Sequence, residues 1–62
     1  MNTANIRTGE SILIAPDLTG ADKWLSGNVI EVEHNSFVGN VITAEAEDGD
    51  IYFGREYSFK KG

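Results

Sequence analysis

Thr43-Ala44-Glu45-Ala46-Glu47-Asp48-Gly49-Asp50-Ile51-Tyr52-Phe53 decides the fold, because the stretch carries its own pairing scheme. Asp48-Gly49 is a strong short-hairpin signal, since a type I′ turn needs positive φ at both central residues and this dipeptide tolerates it. Centring the turn there pairs Glu47 with Asp50, Ala46 with Ile51, Glu45 with Tyr52 and Ala44 with Phe53. Side chains alternate across a strand, so this register puts Ala44, Ala46, Ile51 and Phe53 on one face. Glu45, Glu47, Asp50 and Tyr52 then occupy the other.

Working outward, Asn28 to His34 alternates as well, with Ile30 and Val32 on one side and Val29, Glu31 and Glu33 on the other. Matching Ile30 with Ala44 and Val32 with Ile42 leaves Asn35 to Gly39 as a hairpin loop of permitted length. Ser11 to Ala15 is a β-rich run that Pro16 ends, because proline cannot donate to a central ladder. Asp17 to Ser26 is then a long connection, with Gly20 inside it and Trp24 near its end. After Gly54, Arg55-Glu56-Tyr57 suits a single 3-10 turn, delivering Ser58 to Lys60 as a last strand with Phe59 inward. The expected core is Ile12, Ile14, Ile30, Val32, Ile42, Ala44, Ala46, Ile51, Phe53 and Phe59, closed at its ends by Leu18, Leu25 and Trp24.

Composition sets the outer bounds. Residues 1–62 make a single domain, with 1–5 and 61–62 expected to fray. A chain of this length buries only about 60% of its unfolded surface. It has no cysteine, so neither a disulfide nor a thiolate metal site can add to its stability. Ten acidic against five basic residues give a net charge of −5, which argues against gripping phosphates by bulk charge. No apolar stretch approaches the length of a signal peptide or a membrane span, so a cytoplasmic location is expected and no membrane partner.

The order of five short strands, a long first connection and a 3-10 turn before the last strand resembles the SH3-like small β-barrels, which include KOW-type modules. Gly9-Glu10-Ser11-Ile12-Leu13-Ile14, a loop, then Trp24-Leu25-Ser26-Gly27-Asn28-Val29-Ile30-Glu31-Val32 carry the resemblance. Small barrel subunits that dock on larger photosynthetic complexes share a similar aromatic-then-glycine entry to the second strand. The resemblance implies an all-β, mostly antiparallel barrel. The chain departs from nucleic-acid-binding KOW modules in lacking basic residues around Gly27. Folds of this kind host unrelated functions, so function has to be argued from a site.

Two candidate sites emerge. The hairpin registers gather Glu31, Glu33, Glu45 and Glu47 on the outward face of neighbouring strands, which either simply keeps the sheet soluble or docks a basic protein. Trp24, Tyr52 and Tyr57 occupy places where such barrels often build a ligand groove, and Phe37 at a loop tip is either exposed or folded over the barrel's end. Glu45, Glu47, Asp48 and Asp50 miss the calcium-loop spacing. His34, the one histidine, has no partner set for a metal or a triad, so it reads as a strand-end surface residue. No catalytic, cofactor or metal residues are expected. The favoured expectation is a non-enzymatic module that binds a protein. The alternative is a nucleic-acid-associated barrel using Arg55, Lys60 and Lys61. Val29 and Val41 also fall on the outward face, but pairing two copies there would oppose four glutamates per chain. A monomer is therefore expected unless the contact avoids those strands.

Overall fold

The computed structural model describes residues 6–62. Five strands form one antiparallel sheet: β1 (Ser11–Ile14), β2 (Leu25–Asn35), β3 (Gly39–Ala46), β4 (Ile51–Arg55) and β5 (Phe59–Lys61). The strand order is β4-β3-β2-β1-β5. A 3-10 turn, Glu56–Ser58, separates β4 from β5, one residue later than the sequence suggests. A short helix, α1 (Pro16–Thr19), interrupts the first connection. Pro16 sits at its start, where a missing N–H costs nothing, and Gly20 closes it at φ 83° with its N–H donating to the Pro16 carbonyl at 2.8 Å.

β4 and β5 are the two edges of this sheet and do not pair with each other, so the ladder is not closed. It is nevertheless strongly curled. The smallest dimension of the molecule is 21 Å, about twice the ~10 Å that one sheet layer occupies. β2 makes this curl possible, pairing with β1 through residues 25–28 and with β3 through residues 27–35. At the overlap, Gly27 is buried against β3, and a Cβ built on it would lie 2.6 Å from the Glu45 carbonyl oxygen. Only glycine lets the strands approach that closely.

The core gathers Ile12 and Ile14 from β1, Val29 from β2, Ile42, Ala44 and Ala46 from β3, Phe59 from β5 and Ile6 from the entering segment. Leu18, Val32 and Tyr52 pack against it. Ile12, Ile14, Ile42, Ala44, Ala46 and Phe59 are where the alternation places them. Leu25 is only half-buried, and Trp24 lies nearer the surface still. Residues 1–5, expected to fray, lie outside the described residues. Lys61, expected to fray with them, pairs with Ile12.

Two registers differ from the sequence reading, each by one residue. The β3–β4 pairs are Glu45 with Ile51, Ala44 with Tyr52 and Thr43 with Phe53. Ala46 N–H donates to Asp50 O at 2.8 Å, and Gly49 N–H to Ala46 O at 2.9 Å, with Gly49 at φ 94°. That is the bonding of a three-residue loop, Glu47-Asp48-Gly49, ending in a glycine bulge, rather than a two-residue turn. A slip of one residue exchanges faces. Ile51 and Phe53 therefore leave the core and Tyr52 enters its edge, so neither the expected inward pair nor the outward tyrosine holds.

The second departure lies in β2. Val32 pairs with Ile42 as the alternation requires, but Val29, not Ile30, faces Ala44. Ile30 is the extra residue of a β-bulge and turns to solvent with Glu31, while Val29 takes its core position.

Candidate interaction surface

The outer face of β2, β3 and β4 is assembled in three cross-strand rows. Glu33, Val41 and Arg55 form the first, Glu31, Thr43 and Phe53 the second, and Asn28, Glu45 and Ile51 the third. Phe53 is 67% exposed and Ile51 49% exposed, in the body of a strand rather than on a loop. Glu31, Glu33 and Glu45 are exposed beside them, and Glu47, Asp48 and Asp50 continue the acidic rim around the β3–β4 turn. The slipped register therefore converts an acidic face into an amphipathic one, with an apolar strip at the sheet edge and carboxylates behind it.

Glu31, Glu33 and Glu45 do share one face, whereas Glu47 sits in the turn at its end. A shallow cleft of about 160 Å³ opens there between Leu25, Ser26, Ala46, Glu47 and Asp48. The three aromatics of the second candidate site do not all share a face. Tyr52 packs on the core, and loss of hydration, reinforced by the Asp50 and Asp48 carboxylates, raises its hydroxyl pKa above 10.0. Tyr57 is exposed on the 3-10 turn. Trp24, 36% exposed, has the Lys60 ammonium 4.3 Å from its ring centre. Its π-face therefore already holds a cation from the same chain.

The basic residues of the alternative site are also divided. Lys60 lies over Trp24, Lys61 pairs with Glu10 at 3.4 Å, and Arg55 stands on β4 opposite Val41. Glu10 also accepts the Arg7 backbone N–H at 2.9 Å. That bond first, and Lys61 second, hold its carboxyl below the usual 4.5.

His34 Nδ1 meets Asn40 Oδ1 at 2.6 Å, and Asn40 Nδ2 donates to Glu56 Oε2 at 2.6 Å. The histidine thus helps tie the β2–β3 hairpin to the 3-10 turn. At the tip of that hairpin the Asn35 side chain accepts from the Phe37 and Val38 N–H groups, and Phe37 stands almost fully in solvent. Among the described residues, no group of three or more His, Asp or Glu is gathered for a metal ion, and no helix is long and apolar enough to cross a membrane.

Comparison with protein-family models, with curated proteins and with solved structures finds no match for this chain.

Ile51 and Phe53 stand at the surface, whereas the two-residue register expected from the sequence assigns them to the core. One signal in the sequence favours the observed register. Gly54 on the inner face leaves room for Leu18, whose Cδ2 would lie 3.2 Å from a Cβ there. A mid-strand glycine marks such a close approach, which places Tyr52 and Gly54 inward and Phe53 outward.

Proposed function

We propose that this chain is a small non-enzymatic binding module, an SH3-like barrel in architecture, that docks a basic protein on the outer face of β2, β3 and β4. The architectural part is supported by the strand order, the 3-10 turn before β5 and the curl of the sheet. The observation that carries the functional part is the exposure of Ile51 and Phe53 within a strand, one strand from Glu45 and Thr43 and two from Asn28 and Glu31 in the same rows. Apolar area supplies affinity, and a one-signed rim selects the partner and speeds encounter. A partner presenting apolar residues flanked by Lys or Arg satisfies both.

Titrating a synthetic peptide of alternating lysine and leucine into ¹⁵N-labelled protein tests the reading. Amide shifts should concentrate at Glu31, Glu45, Ile51 and Phe53, and Phe53→Ser should abolish them. Heparin and duplex DNA should leave the spectrum unchanged at roughly 0.15 M salt. DNA shifting Arg55, Lys60 and Lys61 at that ionic strength would establish the phosphate-binding alternative instead.

A further inference from the structure

We infer that β4 is a self-pairing edge, through which two copies of this chain join antiparallel about a two-fold axis at Phe53, continuing one sheet into the other. The inference shares with the basic-partner reading the exposure of Ile51 and Phe53, but it rests on the main-chain groups of β4 and is tested without a partner.

Ala46 N–H donates to Asp50 O, and antiparallel pairs alternate between hydrogen-bonded and non-hydrogen-bonded. Ala44–Tyr52 and Ile42–Gly54 are therefore the bonded pairs, and Glu45–Ile51, Thr43–Phe53 and Val41–Arg55 are not. The main-chain N–H and C=O groups of Ile51, Phe53 and Arg55 consequently point away from β3. Among the described residues no strand receives them. The residues with free backbone groups are the same ones whose side chains stand exposed on the outer face.

The two edges of the sheet contrast. β5 is three residues long and carries Lys60 and Lys61, the usual protection of an edge against unwanted pairing. β4 carries Ile51, Phe53 and Gly54, with neither lysine nor proline. Its one charge, Arg55, stands at the strand's end, so residues 51–54 lack the protection that β5 has.

A second copy complements this edge. Two-fold pairing at Phe53 sets Phe53 against its own image and Ile51 against Arg55 of the other copy, and it forms about six main-chain hydrogen bonds. The Arg55 stem then lies along Ile51 of the other copy, and its guanidinium extends towards Glu45 in the same row. Each copy supplies one Arg55 and one Glu45, so the ion pair occurs twice. The Glu31 residues of the two copies end up five strand spacings apart, roughly 24 Å. That is well beyond the ~8 Å screening length at physiological salt. The contact thus avoids the glutamate repulsion that argues for a monomer through the faces of β2 and β3. Pairing ends at Arg55, because Glu56 begins the 3-10 turn and is held by Asn40.

The absence of cysteine from the chain makes a register-specific test available. In a bonded antiparallel pair the Cα atoms lie ~5.5 Å apart, inside the range a disulfide spans. Phe53→Cys should oxidise to a covalent dimer at least about tenfold faster than Ser36→Cys on the exposed hairpin loop, a difference of ~1.4 kcal/mol in effective barrier. Ile51→Cys alone should match Ser36→Cys, while Ile51→Cys mixed with Arg55→Cys should cross-link as fast as Phe53→Cys. Sedimentation of the unmodified chain at millimolar concentration should give twice 6.8 kDa. Phe53→Glu, with its circular dichroism unchanged, should return it to a monomer. A monomer at millimolar concentration, a dimer indifferent to Phe53→Glu, or equal cross-linking at all positions would each overturn the inference.

Discussion

Exchanging the inward and outward residues of β4 for alanine, one at a time, separates the observed register from its one-residue alternative. Full burial of a large apolar side chain is worth about 1.5–3 kcal/mol. Phe53 is 67% exposed, so only a third of that is at stake and Phe53→Ala should cost about 0.5–1 kcal/mol. Ile51, 49% exposed, should cost about 0.8–1.5 kcal/mol by the same argument. Ile42 on β3 is 1% exposed and serves as the reference, where truncation leaves a cavity and should cost about 2–5 kcal/mol. Tyr52, packed on the core but not fully buried, should fall between them at roughly 1–2.7 kcal/mol by the same scaling. A chain of 62 residues has only about 3–9 kcal/mol of total stability, so these differences move the urea midpoint visibly. Measurements should be made at micromolar concentration, where association contributes least. A two-residue turn at Asp48-Gly49 inverts the order, making Ile51 and Phe53 the costly positions and Tyr52 nearly neutral. Finding that inverted order would refute the register and, with it, the amphipathic outer face.

Two further expectations concern the frame around that face. Gly27→Ala places a methyl group 2.6 Å from the Glu45 carbonyl oxygen, so β2 and β3 must part where the sheet curls. The cost should be about 1–3 kcal/mol, or a fall of roughly 4–24 °C in melting temperature; a change within about 1–2 °C would show that the approach is not tight. Glu10 has its carboxyl pKa lowered by the Arg7 N–H and by Lys61. Its ionised form therefore stabilises the fold above the unfolded-state value of 4.5, and this contribution is lost as pH falls through the lower folded-state value. Glu10→Gln should accordingly unfold at lower urea than the parent at pH 7 and match it at pH 2–3. A gap that stays constant with pH would mean that the charge is not responsible.

The parts of the fold legible in the sequence are those where only one phase of alternation works. In β3, Ile42, Ala44 and Ala46 alternate with Thr43 and Glu45, and in β1 Ile12 and Ile14 form the more apolar of two phases, the other being Ser11, Leu13 and Ala15, in a run that proline ends. In each strand one face is the more apolar, and the core takes it. Ile51-Tyr52-Phe53 is three apolar residues in succession, so both phases put something apolar inward, and the test of self-consistency is passed twice. Asp48-Gly49 does not arbitrate, because a glycine at positive φ serves a two-residue turn and a glycine-bulge turn alike. The bulge at Ile30 is silent for a similar reason. Val29-Ile30 offers two β-branched residues of nearly equal fitness for one core position, and the overlap of β2 with both β1 and β3 decides between them. Of the candidate site, the carboxylates were legible because charge alone keeps them outside. Its apolar half was not, since it depends on the phase that the sequence leaves open.

The two departures from simple alternation act in the same direction. Each places one extra residue in the chain, Ile30 in β2 and the third loop residue before β4, and each turns large apolar side chains outward. Nothing in the fold of the isolated domain requires this. Threonine or lysine at 51 or 53 would satisfy strand geometry as well as Ile51 and Phe53 do, and would shield the edge better. Roughly half of Ile51 and two-thirds of Phe53 remain hydrated, so about 2–3 kcal/mol of apolar burial is left unused between them. That is a sizeable share of the stability available to so short a chain, and only a second surface covering β4 can realise it. The backbone groups of the same residues point outward too, so the surface that recovers the apolar area can also complete the hydrogen-bond ladder. One extra residue before β4 thus turns Ile51 and Phe53 to the outer face, so that exposed apolar side chains and free main-chain donors and acceptors fall on the same residues of one edge.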